Sequence, residues 1–309
     1  MIVLKNIKKQ FNQKQVLQDI SFHIAPKESV GIIGLNGAGK TTLLNIISGI
    51  LKPDAGFIRV NLAENVMENH KVLKKFSYIS GTKSQLWPDL KIRESYDNCA
   101  KMYGVEKKVY EERLAALSEI FQLEDLLHKQ PVALSLGQRM RCEIVYGLLF
   151  EPQILMLDEA MIGLDVAVKH QIIKYFEQLK QEKKTTILYT SHNFSEIEKL
   201  CDRIILLDEG KILFDGSVER MMEQVAPLYR MQLKLEGGVP DFEDLPLEKY
   251  LVDQENIQIW YDKQKIETTQ IIQHILKKSK IIDVQLYEPD LEGTIKKILH
   301  TSDIDKYVL

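Results

Sequence analysis

The chain has 309 residues, 45% hydrophobic and 28% charged, with 41 Lys and Arg against 44 Asp and Glu for a formal net charge of −3. That balance suits a globular protein of one large and one small domain, and it excludes a protein built for bulk nucleic-acid binding. No apolar run approaches the roughly 20 residues of a bilayer span. Met1–Lys5 lacks the charged-then-apolar pattern of a secretion signal, and Cys99, Cys142 and Cys201 show neither metal spacing nor a disulfide framework. A cytoplasmic location is expected.

Ile2–Ile7 and Gln18–Ile24 read as strands joined by a turn around Asn12–Gln15, and Ser29–Ile33 as a short apolar strand. A Gly-rich loop then opens a helix over Lys40–Ile50. Lys52–Gly56 is turn chemistry, and Phe57–Asn61 and Phe76–Ser80 resume as strands. From Ile92 to about Phe150 apolar residues recur at helical spacing, as at Leu114, Leu117 and Phe121. Ile154–Leu157 and Thr186–Thr190 have the composition of buried parallel strands, with a crossover helix over Val168–Lys184 between them. A hairpin, Arg203–Asp208 and Lys211–Phe214, turns at Glu209-Gly210. Beyond about Met222, strands at Tyr229–Leu235 and Ile257–Tyr261 precede a helix at Glu267–Lys278. A strand at Ile281–Tyr287 and a helix at Leu291–His300 complete the series. This β-β-α-β-α order predicts a separate small domain of roughly 85 residues.

Gly34-Leu35-Asn36-Gly37-Ala38-Gly39-Lys40-Thr41-Thr42 matches G-x-x-x-x-G-K-[ST] between a strand and a helix. Glycines let successive backbone N–H groups converge on phosphate oxygens, and the helix N-terminus adds a favourable dipole. Lys40 is expected to bridge the β- and γ-phosphates and the Thr41 hydroxyl to ligate Mg²⁺. Ile154–Leu157 delivers Asp158 and Glu159 at a strand end, where open α/β sheets bind ligands. Asp158 is expected in the Mg²⁺ shell and Glu159 beside the attacking water. The plain alternative is a strand ending in two solvated acids.

With Leu134-Ser135-Leu136-Gly137-Gln138, Gly163-Leu164-Asp165 and Ser191-His192 added in this order, residues 1 to about 222 resemble the ATP-binding subunit of an ABC transporter. The resemblance implies an α/β fold: a P-loop NTPase core of ABC type, residues 1–222, with a helical subdomain at about 86–150. A small C-terminal α+β domain, 223–309, follows. It implies a head-to-tail dimer clamping two ATP molecules, in which Ser135, the Gly137 N–H and the helix beginning near Gln138 reach the γ-phosphate held by the other chain. Asp165 would lie at the dimer seam. His192 would contact the γ-phosphate and help position the water. Phe11 would stack on adenine, with Val16 beneath the ribose. Ser135 also reads simply as a helix cap.

Three positions depart from the family pattern. Thr82 stands where the glutamine of the family's glutamine loop is expected, and Gln85 is the candidate substitute. Leu136 replaces the middle glycine of the signature, a form that resembles a branch of exporter ATPases. Ala160-Met161 replaces Pro-Thr after the glutamate. The segment Asp283–Glu292 resembles the tails of ABC-2-type exporter ATPases for drugs, bacteriocins and polysaccharides. The implied function is an ATPase with ATP and Mg²⁺ as cofactors, held at the cytoplasmic face of the membrane by a permease, powering export beside a second ATP-binding subunit, with no nucleic-acid partner. The alternative is an ABC ATPase without a permease, associated with ribosomes or DNA. A third class, a GTPase or small-molecule kinase, leaves Leu134–Gln138 unexplained and lacks an Asn-Lys-x-Asp motif.

Overall fold

A computed structural model describes residues 1–60, 70–182, 185–191, 193–224, 228–242, 244–288 and 295. The chain divides into two compact units, Met1–Asp215 and a second from Gly216 onward. No helix among the described residues is long and apolar enough to cross a membrane.

In the first unit, β1 (Ile2–Phe11) and β2 (Lys14–Ile24) form a hairpin that leads to β3 (Ser29–Ile33) and α1 (Lys40–Ile47). Then come β4 (Ala55–Val60), a single turn α2 (His70–Leu73) and β5 (Phe76–Ser80). The helical stretch resolves into α3 (Ile92–Tyr103), α4 (Lys107–Phe121) and α5 (Leu136–Leu148). Strand and helix then alternate: β6 (Ile154–Asp158), α6 (Val166–Gln181), β7 (Thr186–Thr190) and α7 (Phe194–Leu200). β8 (Arg203–Asp208) and β9 (Lys211–Ser217) close the series.

Two sheets result. One is three-stranded and antiparallel, in the order β2-β1-β4, and the other is six-stranded, in the order β5-β6-β7-β3-β8-β9. The pairings from β5 through β8 are all parallel. Every residue of β3, β6 and β7 is buried, the condition expected of strands covered on two faces. Helix α1 turns Leu43, Leu44, Ile46 and Ile47 into a core shared by the two sheets, with Ile2, Leu4 and Ile20 on one side and Val30, Ile32 and Leu188 on the other. Parallel pairing brings the C-terminal ends of β3, β6 and β7 to one edge of the sheet, beside the phosphate loop.

The second unit contains α8 (Val218–Gln224), β10 (Leu228–Glu236), β11 (Lys249–Asp253), β12 (Asn256–Asp262), α9 (Thr268–Leu276) and β13 (Lys280–Tyr287). Its antiparallel sheet has the order β11-β12-β10-β13, and Ile271 and Ile275 of α9 pack on Met231, Leu233, Ile257 and Ile259. The sequence reading missed β11, because Lys-Tyr-Leu-Val-Asp carries no buried position to set a two-residue period. The helix expected at Leu291–His300 lies outside the described residues, Ile295 excepted.

Candidate functional site

The phosphate loop leaves β3 and wraps the start of α1. Gly39 is the N-cap, with φ 105° and no side-chain cap, so the first amides of α1 have no capping side chain. A Cβ at Gly39 would lie 2.9 Å from the Val16 carbonyl oxygen and 2.7 Å from Leu17 Cδ2. Only glycine combines that φ with so close an approach to β2. Lys40 is buried and donates to the carbonyl oxygens of Gly34 (2.8 Å) and Leu35 (3.2 Å). Two of its three N–H donors are thereby used. Burial pulls its pKa down, while Glu159 and Asp158 pull it back up.

Val16, Asn36, Gly37, Gly39, Lys40, Thr41, Thr42 and Glu159 line a common cavity of about 440 Å³, a size that accommodates a small-molecule ligand. Lys14 joins them. Sequence reasoning missed it, although it stands two residues from Val16 on β2, the spacing that puts side chains on one face. Leu35 is exposed and Ala38 buried, so both shape the loop from outside the lining. Phe11, 45% exposed, lies at the end of β1 opposite Lys14, with the Lys9 ammonium 5.4 Å from its ring centre.

Asp158 is buried at the end of β6. Its carboxylate accepts from Thr190 Oγ1 at 2.7 Å and from the Tyr78 hydroxyl at 3.1 Å. Strand register explains these partners: Asp158 pairs with Thr190 on β7 and with Ser80 on β5, two residues past Tyr78. Burial, with Asp158 alongside, pushes the Tyr78 phenol far above its usual range, so it stays a donor. Glu159 adopts a left-handed φ of 54°, and its N–H donates to the Thr190 carbonyl at 3.1 Å. Nothing local in the sequence marks Tyr78 or Thr190 as partners of Asp158, since the register of three strands decides it.

The remaining predicted residues lie elsewhere. Ser135 caps α5: its Oγ accepts from Gln138 N at 3.2 Å, and Gln138 Oε1 accepts from Ser135 N at 3.0 Å. Ser135, Gly137 and Gln138 do not line the 440 Å³ cavity of their own chain. Gly137 sits against the loop before α6, where a Cβ would come within 2.5 Å of the Gly163 carbonyl oxygen. Leu136 is 44% exposed and leans over Gly163. Asp165 is exposed and caps α6 through Val168 N at 3.0 Å. His192 lies outside the described residues. Just before it, Ser191 donates to Glu196 Oε2 at 2.7 Å, and Lys169 of α6 pairs with Glu196 Oε1 at 2.9 Å.

One expectation requires correction. The Gln85 side-chain amide donates to the Tyr78 backbone carbonyl, and Gln85 is absent from the cavity lining. Its own N–H donates to the buried Glu143 carboxylate of α5 at 3.0 Å, and Ser84 donates to the same group. Gln85 therefore ties its segment to the sheet and to α5 instead of facing the phosphates. Thr82, at the expected glutamine position, is exposed and bonds only locally to Ser80.

The ABC transporter family model matches residues 17–162. The ABC transporter ATP-binding protein NatA of Bacillus subtilis is 31% identical, over 72% of this chain and 92% of its own. The chain belongs to the family of ABC transporter ATP-binding proteins. A methionine import ATP-binding protein, MetN of Clostridium tetani, is 33% identical over 71% of this chain and 70% of its own. Among solved structures, an ATP-binding subunit of an ABC transporter superposes with a TM-score of 0.67 at 28% identity, covering 72% of this chain and 92% of that one. The fold is accordingly that of an ABC ATPase cassette, with a P-loop core. The chemistry of the family is ATP hydrolysis.

Proposed function

We propose that this ABC ATPase powers a separate membrane permease at the cytoplasmic face of the membrane, as a head-to-tail pair with a second ATP-binding subunit, and that transport is outward. One observation carries the pairing. Ser135 and Gly137, at the start of α5, do not line the cavity that Lys40 and Glu159 share in the same chain. A signature segment outside the lining of its own chain's phosphate loop has a use when a second chain brings a loop to it. Asp165, exposed at the start of α6 beside this segment, belongs to the same seam.

Within the cavity, the free amides of α1 and Lys40 take the β- and γ-phosphates. Phe11 offers its ring to the base, and Val16 lies under the ribose. The donors available for Mg²⁺ fit that ion. The Thr41 hydroxyl and the Asp158 carboxylate are hard oxygen ligands, and among the described residues no cluster of three acids, cysteines or histidines is gathered, as suits a cation held mainly by phosphates and water. Bound there, Mg²⁺ would neutralise charge developing on the phosphates. Tyr78 and Thr190 fix the Asp158 carboxylate by donating to it. Glu159, at the cavity wall, orients and deprotonates the attacking water.

The outward direction rests on resemblance: Leu136 in the signature and the pattern of Asp283–Glu292 are the forms found in ABC-2-type exporter ATPases. Replacing Glu159 with Gln tests the chemistry. ATP binding should persist while hydrolysis falls by roughly 10²–10⁴-fold, the usual worth of a general base, and the paired state should accumulate with ATP. Hydrolysis at the parental rate would overturn the assignment. The same variant, loaded with ATP and captured from detergent-solubilised native membranes, should bring down a polytopic membrane protein. Recovery without one would detach the ATPase from transport.

A further inference from the structure

We propose that β11 is a pairing edge for a second copy of this chain, the two β11 strands running antiparallel about a two-fold axis at Leu251. Two four-stranded sheets would thereby become one of eight. β11 is the outer strand in the order β11-β12-β10-β13, so one side of it has no strand partner among the described residues. All five of its residues are exposed. Tyr250 (41%), Leu251 (49%) and Val252 (45%) make a continuous apolar stretch. Exposed edges are ordinarily guarded by short strands, edge charges, proline or a bulge; β11 has five residues, with Lys249 and Asp253 at its ends as its charges. β11 has no proline, and its register with β12 runs without a shift from Lys249↔Trp260 to Asp253↔Asn256.

The sequence Lys-Tyr-Leu-Val-Asp is complementary to itself when reversed. Centred on Leu251, antiparallel pairing sets Lys249 of one copy opposite Asp253 of the other, twice, with Leu251 facing its own counterpart between the two ion pairs. These residues share one face, since strand side chains alternate. On the other face, Tyr250 of one copy meets Val252 of the other. That face is continuous with the core: Tyr250 pairs with Ile259 and Val252 with Ile257, both buried, and the Tyr250 ring is 5.1 Å from that of Phe242. The new contact therefore extends an existing apolar layer. Within its own chain Lys249 only leans on the Trp260 ring, 5.5 Å from its centre.

Alternative arrangements fail on charge. Parallel pairing would put Lys opposite Lys and Asp opposite Asp, which is destabilising. A one-residue slip would turn Tyr250 and Val252 to the wrong face. The opposite edge, β13, lacks the property: reversing Lys280–Tyr287 sets Lys280 against Tyr287 and Asp283 against Val284.

The test uses the full chain without nucleotide, where the ATP-dependent pairing proposed above does not operate and its failure would leave this result unaffected. Sedimentation equilibrium should show a monomer–dimer equilibrium. Lys249→Asp alone and Asp253→Lys alone should each weaken it by about tenfold, because two favourable cross-strand pairs become two repulsive ones. Mixed together, the two single variants should pair with each other, since each supplies the charge the other has lost. That rescue cannot come from a misfolded variant. Independently, Leu251→Cys should form an intermolecular disulfide on mild oxidation, because facing Cα atoms in an antiparallel pair lie within bridging distance. Ile282→Cys on β13 is the control, and the native Cys99, Cys142 and Cys201 are buried. A chain that stays monomeric at every concentration, a dimer indifferent to the single reversals, or equal cross-linking at positions 251 and 282 would overturn the proposal.

Discussion

Helices α1 and α5 each have a glycine at their start, Gly39 as the N-cap of one and Gly137 in the first turn of the other, and their first turns are built in opposite ways. At α1 the N-cap is Gly39, no side chain caps the amides, and the end opens into a cavity with Lys40 folded back beside it. At α5 the N-cap is Ser135, whose side chain and that of Gln138 satisfy each other's backbone amides in a capping box. An uncapped helix start beside a lysine is a receptor waiting for an anion from outside the protein. A capped one is already stable, so it can stand on the surface without a ligand. The first is an open cavity within the single chain, while the second is a surface whose use, on the function proposed above, depends on what is brought to it.

Changes at the two helix starts should therefore differ in kind. The largest effect is expected from Gly39→Val. A branched side chain at φ 105°, with Val16 and Leu17 already at the Cβ position, would disrupt the loop, so nucleotide binding by titration calorimetry and ATP turnover should both drop to background. Ser135→Ala should leave nucleotide affinity of the single chain near parental, lower stability by about 1 kcal/mol through the lost cap, and slow turnover about a hundred- to a thousandfold by removing one donor. A parental turnover rate would reduce Ser135 to a cap.

Glu143 of α5 holds the 84–85 segment, accepting from Ser84 and from the Gln85 N–H. Burial raises its pKa above the ordinary 4.5, with Ser84 and the Gln85 N–H opposing. A raised acid stabilises the fold below its unfolded pKa and loses that contribution as pH climbs through the folded value. Stability measured by urea unfolding should thus decline from about pH 4.5 upward through this group, and Glu143→Gln should flatten that decline. The smallest effect should be Leu136→Gly. Leu136 is half-exposed over Gly163 and outside the chain's own cavity, so turnover should change less than about tenfold, under 1.4 kcal/mol in the barrier.

Much of this was legible before any coordinates. The strand–loop–helix context of Gly34–Thr42 and the apolar run ending in Asp158-Glu159 located the cavity, because a phosphate site is built from consecutive backbone amides and a strand end. The helix start at Ser135 was equally readable, since capping is local. Gln85 was misread: its carboxamide could serve a metal or a carbonyl equally well, and only the fold around Tyr78 and Glu143 chose the carbonyl. β11 escaped notice because exposed edge strands have no buried face to impose alternation.

The sequence by itself determined where the Gly-rich loop and the helix caps fall, since neighbours within a turn of chain supply those interactions. The tertiary structure alone decided that Tyr78 and Thr190 clamp Asp158, that Lys14 enters the cavity, and that Lys-Tyr-Leu-Val-Asp lies on an open edge. These depend on strand order and register, which arise when segments far apart in the chain, such as Val30 and Arg203, pair through backbone groups common to every residue type.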